Sequence, residues 1–273
     1  APWWRDNLPP DQTMTDSSRS AETAPCFGYC RDCGTTHRLP AGNARAHARE
    51  LMREFQQIRR LDYLVPDDQA DPQLCFEQLF PGERGHMFGV LECRDDRGCT
   101  VVLRAFSSLR GGIRDVDGWV SPILSPESFY GIVLPGIEEI QEATRELDGL
   151  AAGSPSAADL TLERTRLSQD LWRNMEALYS FQNFRTESRS LRDAFFSFLE
   201  GEARIPAGTG ECCAPKLLNH AARNGLTPVG LAEFYWGGTN QSGGRKPGHF
   251  YPCCETRCQP IMGFMLCGLA HES

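Results

Sequence analysis

The chain has 273 residues, 40% hydrophobic and 23% charged, enough apolar content for a substantial core in one large domain or two smaller ones. Its formal net charge of −8 argues against nonspecific nucleic-acid binding by the whole surface. No apolar run approaches a membrane span and no charged-then-apolar leader opens the sequence, so a cytoplasmic protein with no membrane partner is expected.

Residues 1–25 are polar and rich in Pro, Ser and Asp, with Trp3-Trp4 near the start. They read as an extended tail without a fold of its own, available to a protein partner. Residues 26–135 form an N-terminal region with a zinc knuckle and a β-hairpin. It opens with Cys26, Cys30 and Cys33, followed by Gly34 and His37. Cys30-x2-Cys33-Gly34 with His37 has zinc-knuckle character, and unligated thiols are the alternative. Cys93 and Cys99, on either side of a hairpin turn, are other possible ligands.

The stretch 43–60 is predicted helical, because Ala48, Leu51, Phe55 and Ile58 recur at helix spacing. Residues 87–93 and 99–106 flank Asp95-Asp96-Arg97-Gly98, a strong hairpin signal. Residues 119–124 suggest a further short strand.

Residues 136–200 predict a projecting antiparallel helical hairpin. Ile137, Ile140 and Leu147 form one stripe, and Leu160, Leu167, Leu171, Met175 and Leu178 form the other. A Gly153-Ser154-Pro155-Ser156 linker separates them, with Ser156 and Asp159 as a capping-box-like start. Packing or contact with a partner is the expected role.

Residues 201–273 form a Cys-rich metal-binding unit. Cys212-Cys213 and Cys253-Cys254 are adjacent pairs, which suit metal capture better than disulfide staples. Each group sits just ahead of a predicted helix start, at Pro215 and at Pro260. Helix N-termini favour thiolate, and gathered thiolates are what zinc needs. The expected ligands are Cys212, Cys254 and Cys258, with Cys213, Cys253 or His249 as a possible fourth. Zinc is preferred to an iron–sulfur cluster for two short cysteine groups at helix starts. A strand over 229–236 lies between the helices, so the predicted fold class is α+β. It combines a small mixed sheet, the helical hairpin and a C-terminal deaminase-like helix–strand–helix metal unit.

Glu211 stands beside this unit as a candidate general acid or base, since zinc deaminases keep a non-ligand Glu near their ligands. Two spacings depart from that pattern: Glu211 precedes Cys212, and three residues separate Cys254 from Cys258 where the pattern has two. Its bland alternative is an acidic residue ahead of a helix. Lys216, Arg245, Lys246 and Trp236 are the candidate RNA contacts.

The segments Gly208-Thr-Gly-Glu-Cys-Cys-Ala-Pro-Lys-Leu-Leu218, Leu231-Ala-Glu-Phe-Tyr-Trp-Gly237 and Gly248-His-Phe-Tyr-Pro252, with Cys254 and Cys258, resemble a known family. They look like the N-terminal accessory region of long bacterial RluA-type RNA pseudouridine synthases, and like stand-alone proteins labelled pseudouridylate synthase. The resemblance covers most of residues 26–270 and implies a link to RNA modification. It does not carry isomerase chemistry: His37-Arg38-Leu39 is followed by Pro40 where the synthase signature has its Asp. Three functions follow: a zinc-binding, RNA-modification-linked protein; a zinc-dependent deaminase or hydrolase acting on a base or nucleoside; and a structural or partner-binding subunit.

Overall fold

The computed structural model describes residues 26–80, 85–107, 115–151, 153–196, 205–238 and 244–269. The expected tail over 1–25 lies outside the described residues, as does 239–243 of the loop that carries Arg245 and Lys246.

β1 (Cys26–Cys30) and β2 (Thr35–Leu39) form an antiparallel hairpin, with Gly28 opposite His37. The amphipathic helix α1 (Ala44–Ile58) follows, and α2 (Phe76–Leu79) is a short turn of helix beyond it. β3 (Gly85–Arg94) and β4 (Thr100–Phe106) form the second hairpin. Its turn is closed by Asp95, whose Oδ1 accepts the Arg97 and Cys99 amides at 3.0 and 2.7 Å. Residues 119–124 add no strand to a sheet. Instead Trp119 and Val120 pack inward, and the Val120 amide bonds the Arg104 carbonyl at 2.8 Å.

A short helix α3 (Pro126–Ser128) leads through one π-helical turn into α4 (Leu134–Asp148), which pairs with α5 (Pro155–Leu178). The cap of α5 is Ser154, two residues earlier than the sequence signal: its hydroxyl accepts the Ala157 amide at 3.2 Å, with Pro155 in the first turn. Gly136 lets the two helices approach, since a Cβ there would lie 2.6 Å from Leu171 Cδ1. β5 (Ser180–Gln182), β6 (Ser188–Ser190) and α6 (Leu191–Ala194) follow, then α7 (Cys213–Arg223), β7 (Thr227–Gly237), β8 (Phe250–Tyr251) and α8 (Gln259–Met265).

The central sheet has strand order β4-β3-β7-β8, and all its pairings are antiparallel. The sequence predicts a small mixed sheet; the sheet is instead wholly antiparallel, because each neighbouring strand pair runs in opposite directions, and the fold is α+β with small antiparallel sheets. Both faces are covered. Phe88, Val90, Ala232, Phe234 and Trp236 face α1, where Phe55 meets Phe88 edge-on at 4.8 Å. Met87, Leu91, Leu231 and Tyr235 share the opposite core with Leu217, Leu218 and Ala221 of α7. That second core also takes in Cys26 of β1 and Ile261, Met262 and Met265 of α8. Burial on two faces explains why β7 is a nearly continuous apolar run rather than an alternating one.

Candidate metal centre and the adjoining cavity

All twelve cysteines are free thiols. The turn of the first hairpin places Cys30 and Cys33, and β2 places His37 on its buried side. Just beyond α8 the chain brings Cys267 to the same point. One ligand atom from each of these four residues lies within 4.8 Å of all the others. The Cys33 and Cys267 sulfurs are 3.5 Å apart. Among the described residues this is the group whose geometry can hold a metal ion.

Three thiols and one imidazole suit tetrahedral zinc. Burial, then the neighbouring Cys33 and Cys30 thiols, pushes the Cys267 thiol up to about 12. Crowded thiols keep their protons, and a divalent cation reverses that by binding the thiolates. A guanidinium stands against the cluster. Arg185 Nη2 donates to Cys33 Sγ at 3.3 Å, and Arg189 pairs with Asp32 in the same turn at 2.9 Å.

Cys267 was absent from the sequence-derived ligands. It lies in the apolar stretch after α8, far along the chain from the knuckle, and looks like an ordinary core cysteine. Cys26, which sequence grouped with Cys30 and Cys33, turns elsewhere: its thiol contacts Met262 Sδ at 3.3 Å and the Cys253 thiol.

The second set of cysteines divides in two. The Cys258 thiol lies within hydrogen-bonding reach of both Cys212 and Cys254. These sulfurs form a chain with Cys258 in the middle, not a set in which every pair is within 4.8 Å. Cys212 and Cys258 are the N-cap residues of α7 and α8. Hydrogen bonds from Cys258, Thr256 and the Arg257 and Cys258 amides outweigh burial and pull the Cys254 thiol down to about 4. Cys213 faces the sheet instead, and its thiol donates to the Met87 carbonyl at 3.3 Å. Cys253 meets Cys26, and His249 Nδ1 lies 3.0 Å from the Pro247 carbonyl oxygen.

A cavity of about 350 Å³ adjoins the chain of thiols, lined in part by Glu211, Cys212, Glu233, Arg245, Cys254 and Arg257. Its most buried charged group is Glu233, in the middle of β7 and only 4% exposed. Opposite it on β3 is Gly89, where a Cβ would lie 2.6 Å from Cys213 Cβ, so the strand admits the start of α7. Glu233 Oε1 accepts the Ala214 amide at 3.1 Å, giving α7 a cap from across the sheet. Burial pushes its carboxyl up to about 7. Sequence reasoning passed over Glu233, although an acid within Leu231-Ala-Glu-Phe-Tyr-Trp is the kind of local inconsistency that marks a site. Glu211, the expected acid or base, accepts a hydrogen bond from the Tyr179 hydroxyl and also lines the cavity.

The four expected RNA contacts separate by burial. Lys216 is only 3% exposed, and its ammonium donates to the Phe106 carbonyl at 2.9 Å. Trp236 is buried against Phe55 in the α1 core. Both side chains are interior, so neither presents a surface to RNA: α7 and β7 are covered on the faces that carry them. Arg245 lies over the Tyr251 ring at 5.8 Å, and the Lys246 amide bonds the Tyr251 hydroxyl at 2.7 Å. Nearby, Arg45 and Arg49 sit over Phe250, and Arg38 sits over Phe27.

No family model, curated protein or solved structure matches this chain. No helix among the described residues is long and apolar enough to cross a membrane.

Proposed function

We propose that this chain is a zinc-binding protein linked to RNA modification, in which Cys30, Cys33, His37 and Cys267 hold a structural zinc. The observation that carries the proposal is the convergence of those four ligand atoms within 4.8 Å of one another. A site with four protein ligands is closed to substrate and serves stability. It ties the first hairpin to the segment after α8, two parts of the chain that contribute to one core.

The RNA link rests on the motif resemblance around Cys212, Leu231 and Tyr251. It is supported by the aromatic and cationic side chains near β8: Phe27, Phe250 and Tyr251, with Arg38, Arg45, Arg49, Arg245 and Lys246. Aromatic faces stack on unpaired bases, and guanidinium groups pair with phosphates. Such a patch is local, as a net charge of −8 requires.

Two measurements test the proposal. Elemental analysis of protein purified without added metal should find zinc, and Cys267→Ser should lose about one equivalent. Titration with single-stranded RNA should give binding that weakens with salt and is lost in an Arg45→Ala, Arg49→Ala double variant of unchanged melting temperature. Absence of zinc removes the first half of the proposal, and salt-independent or absent RNA binding removes the second.

A further inference from the structure

The helical hairpin carries a cavity that neither the metal cluster nor the patch at β8 uses. Its volume is about 970 Å³, and it lies between α4, α5, Arg192 of α6 and residues 205–207. That is within the roughly 300–1,000 Å³ of small-molecule sites. Its wall holds three arginines, Arg164, Arg173 and Arg192, against one carboxylate, Glu176. In a chain of net charge −8 this wall is locally cationic.

Glu176 is only 6% exposed and stands near the C-terminal end of α5. Arg192 Nη2 donates to its Oε2 at 3.0 Å, and Arg192 itself is largely exposed. The other oxygen, Oε1, is buried and has no hydrogen-bond partner. A buried carboxylate oxygen without a donor is costly, and its presence in a folded protein calls for an explanation. Glu176 lies in the cavity wall, where a ligand N–H can supply the missing bond.

The rest of the wall suits one kind of ligand. Trp172, Ser168 and Arg164 precede Glu176 at successive four-residue steps, so each neighbours the next along α5. All four line the cavity. Trp172 is half-buried against the core and offers an aromatic face on which a base stacks. Arg173 is paired with Asp170 on its own helix, whereas Arg164 makes no ion pair among the described residues. At 1.5 Å per residue, the row from Glu176 to Arg164 spans about 18 Å. A nucleoside with a phosphate chain, met by the long side chain of Arg164, fills such a row.

We propose that this cavity binds a guanine nucleotide with two or more phosphates, its base at Glu176 and Trp172 and its phosphates toward Arg164. Guanine presents two adjacent donors, N1–H and N2–H, beside its O6 acceptor. Glu176 Oε1 accepts from the donors, and the neighbouring Arg192 guanidinium donates to O6. Adenine has an acceptor, N1, where guanine has N1–H, and that lone pair faces the carboxylate unfavourably. The site shares no residue with the zinc cluster or the patch at β8, and it stands whether or not the chain binds RNA.

Calorimetric titration of the full chain with guanosine diphosphate (GDP) tests the proposal. GDP should bind at one site, with guanosine and ADP each weaker by about tenfold or more. Absence of binding at millimolar GDP overturns the proposal. ADP as tight as GDP overturns the guanine assignment, and guanosine as tight as GDP overturns the phosphate assignment. Glu176→Gln should lose about tenfold or more in GDP affinity. Arg164→Ala should lose the advantage of GDP over guanosine with an unchanged melting temperature. If Glu176→Gln does not fold, Ser168→Phe, at an exposed position, fills the cavity and should abolish binding. GDP affinity unaltered in Ser168→Phe overturns the location. The Arg45→Ala, Arg49→Ala double variant should bind GDP as wild type does. Loss of GDP in that variant puts the nucleotide at the β8 patch and overturns the proposal, whatever the outcome with RNA.

Discussion

Gly28 of β1 and Gly263 of α8 meet backbone to backbone. A Cβ on Gly263 would lie 1.8 Å from the Tyr29 carbonyl oxygen, and one on Gly28 would lie 2.4 Å from the Gly263 nitrogen. No side chain fits between the strand and the helix. This contact sets how Cys30, two residues past Gly28, and Cys267, four past Gly263, reach the same point.

Gly263→Ala should therefore destabilise the protein by more than about 3 kcal/mol, because backbone rather than a flexible side chain stands in the way. It should also release zinc, since separating β1 from α8 separates the ligands. Denaturant unfolding with parallel zinc analysis checks both effects. A variant that melts like wild type with its zinc retained would show that the two backbones do not touch.

Removal of the Cys3His metal should lower stability, because a structural zinc contributes directly to folding. Chelation, or Cys33→Ser, should reduce the melting temperature by roughly 10 °C, corresponding to about 3–5 kcal/mol in a chain of this size. Re-adding zinc should restore the chelated wild type but not the variant. Differential scanning calorimetry with and without zinc gives the comparison.

Lys216 and the pair Arg245 and Lys246 should behave oppositely. Lys216→Met leaves the buried Phe106 carbonyl without its donor, at a cost of about 1–3 kcal/mol. It should leave the affinity for RNA unchanged at temperatures where the variant is folded. Arg245→Ala with Lys246→Ala should weaken RNA binding and lower its salt dependence by about two units of slope at most, with a stability change within ~0.5 kcal/mol. Filter binding across a salt series, paired with thermal melts, separates the two classes.

Cys93 and Cys99, weighed in the sequence as possible joint ligands, sit in opposite environments. Cys93 lies on the buried face of β3 opposite Val101, while Cys99 is exposed at the hairpin turn. Burial, and then the nearby Glu92, pushes the Cys93 thiol up to about 12. Thiolate is the reactive form, so iodoacetamide at pH 8 should label Cys99 and leave Cys93 unmodified in the native protein. Peptide mass spectrometry of briefly alkylated protein reads this directly; equal labelling of the two would contradict the burial of Cys93.

What the sequence determined by itself is local. Period-3.6 apolar spacing marked α1, the Asp95-Asp96-Arg97-Gly98 turn between two apolar stretches marked the second hairpin, and Cys30-x2-Cys33 with His37 marked three of the four residues that could hold a metal. Each of these signals lies within a few residues along the chain, where backbone geometry alone relates the side chains. Tertiary structure decided the rest. Cys267 joins the knuckle only because two glycines let β1 lie directly on α8, and no spacing rule links positions so far apart. Glu233 caps α7 from a strand across the sheet, so its role is invisible to the rules that look for a cap beside its helix. Lys216 and Trp236 carry side chains common at RNA surfaces, yet packing buries both: Lys216 lies on the face of α7 that covers the sheet, and Trp236 lies on a strand covered on two faces. Residue type proposed the chemistry at these positions; packing chose which groups are accessible to perform it.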